Sequence, residues 1–344
     1  YKRNPNYWDT DPVGPGKGNQ LPYADTLRNL VVPDASTTFA ALRTGKIDLM
    51  SGITIDDFEQ MRATAPRIEY LEYQPSGFGT NAVNFNLADK AKPWADVRVR
   101  QALMLATDYD TIVNNLYKGK AEKDMILVGP EFAGKGYKPL STMSASVQAL
   151  YKYNPERAKQ LLKEAGFPNG FKAELLVPNT ATVMDEAAIF KDMWSKVGVE
   201  LNIVPKETAV LTATLTRSFD WKEMFFGGAG GSVGSYAFSL YTYFGYYRGD
   251  NRLQFASRTD PGGKPDPIIE AAFETTQKNL YVNWPAAYKA VEEVRPYLIE
   301  QAFKVPFVQP YFYSMWWPWI KNSYGQGPVT AFLKFYWIDQ DLKK

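Results

Sequence analysis

The side chains that most often carry catalysis are missing from this chain. Its 344 residues include no Cys and no His. That removes thiol nucleophiles, disulfides, imidazole metal ligands and imidazole acid–base chemistry together. Without His a standard Ser-His-Asp triad cannot be assembled. Neighbouring carboxylates at Asp56–Asp57 and Glu292–Glu293 are the remaining acid–base candidates. Both pairs fall in helical patterns, where consecutive residues do not face each other, so they read as solvated faces rather than a glycosidase pair. No GxGxxG and no GK[ST] occurs, so the dinucleotide fingerprint and the P-loop are both absent. The chemistry that remains is non-covalent recognition. No cofactor and no metal is expected.

The stretch most suited to recognition runs from Met224 to Tyr247 without Asp, Glu, Lys or Arg. It combines glycines at 227, 228, 230, 231 and 234 with a run of Tyr and Phe. A membrane span needs about 20 predominantly apolar residues, and this stretch is too rich in Gly, Ser and Tyr. Glycines let backbone approach a ligand closely. A second aromatic cluster, Trp316, Trp317 and Trp319 around Pro318, lies in an extended segment. Side chains alternate there, so one of its faces should meet a second lobe or a ligand. The net charge of +2 is too even to suggest nucleic acid or an anionic membrane surface as partner.

The elements that must position these residues alternate strand and helix. Strands are predicted at Leu27–Val32, Ile47–Met50 and Ile68–Tyr73, with helices capped by Asp34 or Ser36 and by Thr54. Val97–Tyr117 reads as helical, with Asp108 able to restart the helix and Gly119 to stop it. Asn154 as cap, Pro155 in the first turn and Gly166 at the end bracket a further helix. Strands follow at Phe171–Val177, Val199–Ile203 and Trp221–Phe226, separated by helices from Asp185 to Val197 and from Glu207 to Arg217. Helices are expected again over Asp266–Leu280 and Trp284–Ala302. This order argues an α/β section with a largely parallel sheet. In such sheets ligands bind beyond the carboxyl ends of the strands, which is where the glycine-rich stretch begins.

Six segments taken in order carry a resemblance: "RNPNYWD", "LPYADTL", "VVPDASTTFAALRTGKIDLM", "NFNLADKAKPWADVRVRQALMLATDYDTIV", "YNPERAKQLLKEAGFPNGF" and "VGVELNI". Together they resemble family 5 of the bacterial extracellular solute-binding proteins, the peptide, nickel and oligosaccharide receptors of ABC importers. Ala95–Asp108 is the most specific of these matches and Ala158–Phe167 the next. The resemblance implies an α/β fold of the type II periplasmic-binding-protein kind, two lobes with mixed sheets that close on a solute. Residues 1–84 and 316–344 would belong to the first lobe and 85–315 to the second. Family members carry a signal and a long segment ahead of the "NPNYW" motif. The first lobe is therefore expected to be incomplete in this chain, with sheet edges and apolar faces left uncovered. An ABC permease would be the membrane partner. The location would be periplasmic or extracellular, with or without a lipid anchor, and the full-length protein a monomer.

In peptide receptors that this sequence resembles, an Asp shortly after the strand read here as Trp221–Phe226 pairs with the peptide's ammonium group. This chain has Gly227, Gly228, Ala229, Gly230 and Gly231 there. A buried ammonium without a partner is very costly. The segment therefore favours a neutral polar solute, either a peptide or an oligosaccharide whose ring faces pack on aromatics and whose hydroxyls meet polar groups. The candidate contacts are Asn179, Thr180, Trp221, Phe226, Gly228, Ser232, Tyr236, Trp316, Trp317 and Tyr324. Each has a plainer reading, such as a helix cap for Asn179, a turn for Gly228 and core packing for Phe226. A carbohydrate-active enzyme and an interaction module without a ligand are the readings from other classes.

Overall fold

The computed structural model describes residues 1–32, 34–74, 81–87, 89–124, 126–130, 133–215, 221–228, 266–323 and 333–343. In chain order the main elements are α1 (Ala35–Arg43), β1 (Leu49–Ile53), α2 (Ile55–Thr64), β2 (Glu69–Tyr73), β3 (Asn81–Asn84) and α3 (Val97–Leu105). They continue with α4 (Ala145–Leu150), α5 (Pro155–Glu164), β4 (Phe171–Pro178), α6 (Ala181–Ser195), β5 (Val199–Lys206), α7 (Thr208–Ala213) and β6 (Met224–Gly228). Last come α8 (Pro267–Asn279), α9 (Trp284–Glu300), β7 (Lys304–Pro306) and β8 (Phe312–Trp316). Two compact units result, one of residues 1–75 with 310–344 and one of residues 76–309.

In the first unit β8 is the middle strand, antiparallel to both β1 and β2. Its inward side chains Tyr313 and Met315 join Leu42, Ile53, Met61 and Ile68 in one small core. The register follows from alternation: Tyr313 and Met315 point to one face, and Ser314 bonds Ser51 across the strand pair at 2.9 Å on the other. Asp34 caps α1 as its position suggests, accepting from the Thr37 amide at 2.7 Å. The predicted strand at Leu27–Val32 does not form. Thr26 makes a single bridge to Lys2, and Leu30 and Val31 are exposed, with no neighbouring strand among the described residues to pair them.

The second unit is built on a five-stranded sheet in the order β5-β4-β6-β3-β7. The β4–β5 and β4–β6 pairs are parallel, whereas β3 runs antiparallel to β6 and β7. The sheet is thus mixed, not largely parallel. The one strand that runs against the other four is β3, at residues 81–84, which the helix–strand alternation did not anticipate. Both ends of this unit lie earlier than the sequence reading put them. Asn81–Asn84 hydrogen-bonds within the second unit's sheet, and Phe312–Trp316 within the first unit's.

Local signals set the helices that pack on this sheet. Asn154 accepts from the Arg157 amide at 3.0 Å, Pro155 opens α5, and Gly166 leaves it at φ +94°. Asp108 breaks the predicted Val97–Tyr117 helix into two, accepting from the Thr111 amide at 3.0 Å to start a second segment that widens into a π-helix over Ile112–Leu116. Gly170 and Gly198 sit at the starts of β4 and β5 with φ of +75° and +87°. A Cβ on Gly170 would lie 1.9 Å from the Gly198 carbonyl oxygen, so this close approach of backbones admits only glycine. The core joins Val83, Leu175, Val177, Phe190, Trp194 and Phe226 from the sheet and α6 with the inner faces of α3, α5 and α9.

Among the described residues one ion pair is fully inside. The Arg295 guanidinium, from α9, bonds Asp124 Oδ1 at 2.8 Å and donates to the carbonyls of Ile126 at 3.0 Å and Lys138 at 2.7 Å. It also lies 4.7 Å over the Tyr137 ring. One side chain therefore pins the connection between α3 and α4 onto α9.

Candidate functional site

In the second unit the parallel strands β4, β5 and β6 bring their carboxyl ends to one edge of the sheet. Asn179 and Thr180 leave β4 there, and both are exposed. The Asn179 amide donates to the Lys206 carbonyl at 2.9 Å, tying the ends of β4 and β5 together. Thr180 is the N-cap residue of α6 without a side-chain cap bond, which leaves its hydroxyl for other partners. At the end of β6 the backbone presents Gly227 and Gly228, paired in register with Ala82 and Asn81 at the start of β3. Both glycines thus belong to the ladder, and Gly227 is buried.

Beside them stands a carboxylate that the sequence reading passed over. Glu186 lies on the second turn of α6 and is only 7% exposed. Its Oε2 accepts from Asn81 Nδ2, and its Oε1 from the Tyr117 hydroxyl at 3.4 Å. Among the described residues it has no ion-pair partner within 4.0 Å. Burial pushes the Glu186 carboxyl above its ordinary value, opposed by the bonds from Asn81 and Tyr117 and assisted by Asp185 next to it. Burial likewise raises the Tyr117 phenol, and the Glu186 charge raises it further. Glu186 follows Asp185 in a helix and carries no motif. The one available hint was the helical spacing that puts it on the same face as Phe190.

The other sequence candidates are spread widely. Trp221 is buried at the opposite end of β6, because the strand begins at Met224, three residues later than predicted. Its ring packs edge-on against Phe225, its carbonyl accepts from Asn86 Nδ2, and its Nε1 has no hydrogen-bond partner. Phe226 is fully buried, its ring edge-on to Phe190 and Phe307 at 5.5 and 6.2 Å, which is core packing and not a lining position. Trp316 and Trp317 belong to the first unit. There Trp316 Nε1 donates to Glu69 Oε2 at 2.8 Å, Trp317 Nε1 to the Leu42 carbonyl at 2.7 Å, and Trp319 Nε1 to Asp48 Oδ1 at 2.8 Å. Trp317 and Trp319 stack with centroids 4.5 Å apart. All three indoles thus have partners inside their own unit. Ser232, Tyr236 and Tyr324 lie outside the described residues.

The family model for "Bacterial extracellular solute-binding proteins, family 5 Middle" matches residues 1–251. The chain belongs to family 5 of the bacterial extracellular solute-binding proteins. It is similar to heme-binding protein A of Haemophilus influenzae, 33% identical over 218 residues that make 61% of this chain and 35% of that protein. It is also similar to the dipeptide-binding protein of Escherichia coli, 31% identical over 212 residues, 60% of this chain and 35% of that protein. The chain therefore aligns with about a third of the length of these curated relatives. The fold of this family 5 chain is shared with an ABC transporter-associated periplasmic binding protein from Helicobacter pylori, solved in complex with the peptide STSA. That match has a TM-score of 0.70 and 24% identity, and covers 98% of this chain and 60% of the other. An Agrobacterium tumefaciens binding protein solved with agropinic acid matches at TM-score 0.71 and 20% identity over 93% of this chain and 62% of the other. Among the described residues, no group of His, Cys, Asp and Glu is arranged to hold a metal, and no helix is long and apolar enough to cross a membrane.

Proposed function

We propose that this family 5 chain is the solute-binding component of an ABC importer. It captures a peptide or a similar neutral polar solute outside the cytoplasmic membrane and delivers it to a membrane permease. No covalent step is involved. The observation that carries the reading is the carboxyl edge of the second unit's sheet. There the exposed Asn179 and Thr180 offer hydrogen-bonding side chains, and among the described residues no group is arranged to hold a metal. Its relatives named for dipeptide and heme binding, and a neighbour of the same fold with a bound peptide, support capture of small solutes over turnover.

The test is native mass spectrometry of the full-length protein purified from its host. A co-purified peptide or other small molecule of defined mass is the expected result. Chemical conversion of added oligosaccharides or peptides would overturn the receptor reading in favour of an enzyme. A co-purified oligosaccharide would keep the receptor and replace its solute.

A further inference from the structure

We propose that a groove on the second unit, where α3, α4, α5 and the end of α9 meet, docks a segment of the permease that carries a carboxylate beside a bulky aliphatic side chain. The inference rests on the solute-receptor reading, which supplies the permease as partner, and goes beyond it.

The groove measures about 740 Å³ and is open to solvent. Its floor is made by Leu105 of α3, Leu150 of α4 and Leu161 of α5, core leucines whose outer edges line it. Lys152 and Tyr153 of the α4–α5 connection, Arg157 of α5 and Glu300 at the end of α9 complete the wall. Main-chain bonds between these elements fix the shape. The Asn154 amide donates to the Leu105 carbonyl at 2.8 Å, holding the α4–α5 connection to α3. Gln101 Nε2 donates to the Glu300 carbonyl at 2.7 Å, holding the end of α9 to the same helix. The concavity is therefore preformed and needs little reordering on binding.

The charge of the wall is uneven. Lys152 and Arg157 stand against one acid, Glu300. Glu300 Oε1 already accepts from the Ser146 hydroxyl at 2.8 Å and from Ser144 at 3.5 Å. Arg157 meets Glu164 at 3.2 Å with both side chains partly exposed, a solvated pair worth little to either partner. Lys152 is exposed. An apolar floor under a positive wall is complementary to an aliphatic anchor with a carboxylate next to it.

The openness decides between kinds of occupant. A small-molecule site buries about 70–90% of its ligand, which an open groove cannot do alone. A protein segment brings its own body to cover the outer side. A two-fold pairing of this chain with a second copy sets the same patch against itself, and with it cation against cation. An acidic segment of a different protein has neither difficulty.

The experiment places the photo-crosslinking residue benzoylphenylalanine at position 149, an exposed alanine in the groove, in the full-length protein within its host. Crosslinked peptides are sequenced by mass spectrometry. Capture of a permease segment holding an acid and a bulky aliphatic residue is expected, and the same probe at Lys172, exposed at the start of β4, should not capture that segment. Adding Lys152→Glu should lower the yield about 10-fold, the scale on which a reversed rim charge slows association. The probe moved to Ser146, with Ala149→Glu as the added charge, repeats the test from a second exposed position. Solute occupancy, read by native mass spectrometry of the same variants, should not change. Equal capture of the segment from positions 149 and 172, or a yield that neither charge change lowers, overturns the docking site. Capture of only a second copy or a small molecule overturns it as well. If no permease is captured while a solute still co-purifies, the groove assignment falls and the receptor stands. If neither permease nor solute is found, both fall.

Discussion

Replacing Arg295 by methionine removes a buried side chain that ties the α3–α4 connection to α9. The guanidinium is fully buried and Asp124 nearly so. Methionine keeps much of the apolar stem but loses the 2.8 Å bond to Asp124 and the bonds to the Ile126 and Lys138 carbonyls. Each orphaned buried carbonyl costs about 1–3 kcal/mol, and leaving one partner of a buried pair uncompensated costs about 3–5 kcal/mol. These contributions overlap, because they share the same loss of solvation, so about 4 kcal/mol is the expected loss. Removing the stranded charge as well should reverse much of it. The Arg295→Met/Asp124→Leu double variant is expected to recover more than half, since apolar replacement of a buried pair is often close to neutral. Urea unfolding followed by far-UV circular dichroism gives the totals. Hydrogen exchange of peptides spanning 121–138 shows whether that connection loosens before the rest of the unit does. The reasoning fails if the single variant stays within about 1 kcal/mol of wild type, or if the double variant is no more stable than the single one.

Gly170→Ala should prevent normal docking of β4 on β5, because the added Cβ meets the Gly198 carbonyl at 1.9 Å and the backbone sits at φ +75°. A loss above about 1 kcal/mol in a chemical melt is the expected reading. Asp96 is held below the usual carboxylate range first by the Arg98 side chain and then by the Arg98 amide. Its contribution is therefore present above the unfolded value near 4 and lost as pH falls through the lower folded value. Asp96→Asn, which keeps the cap oxygen, should lower the melting temperature slightly at neutral pH and flatten its acid decline; an unchanged acid limb would argue against the pairing. Glu186 has the opposite sign: its raised folded value gives stability that is present below the ordinary carboxylate range and lost as pH rises. Ligand-free Glu186→Gln should accordingly melt no lower than wild type at neutral pH, and a clear drop would mark the carboxylate as a stabilising contact instead. Trp221→Phe removes no hydrogen bond, whereas Trp319→Phe removes the one to Asp48, so denaturant titration should show the second as the costlier change.

The sequence by itself determined the local elements and the family. Asn154, Pro155 and Gly166 bracket α5 because capping and positive-φ requirements are satisfied within a few residues of chain. Alternation over Phe171–Val177 and Val199–Ile203 marks β4 and β5 for the same reason: a strand's burial pattern is written at a period of two. The absence of His and Cys ruled out whole chemistries before any fold was known. Only the tertiary structure decided what depends on partners distant in sequence. Leu27–Val32 has the composition of a strand, yet a strand exists only where another strand pairs it. Trp316, Trp317 and Trp319 looked free to meet a ligand, but Glu69, Leu42 and Asp48 take up their indole N–H groups. Phe226 and Trp221 differ from a lining residue only in where β6 begins and which face its neighbours cover. Glu186 reads as one more helix acid beside Asp185. Its burial, its bonds to Asn81 and Tyr117, and its place at the sheet edge arise because three segments far apart in the chain converge there, and no local pattern encodes that convergence.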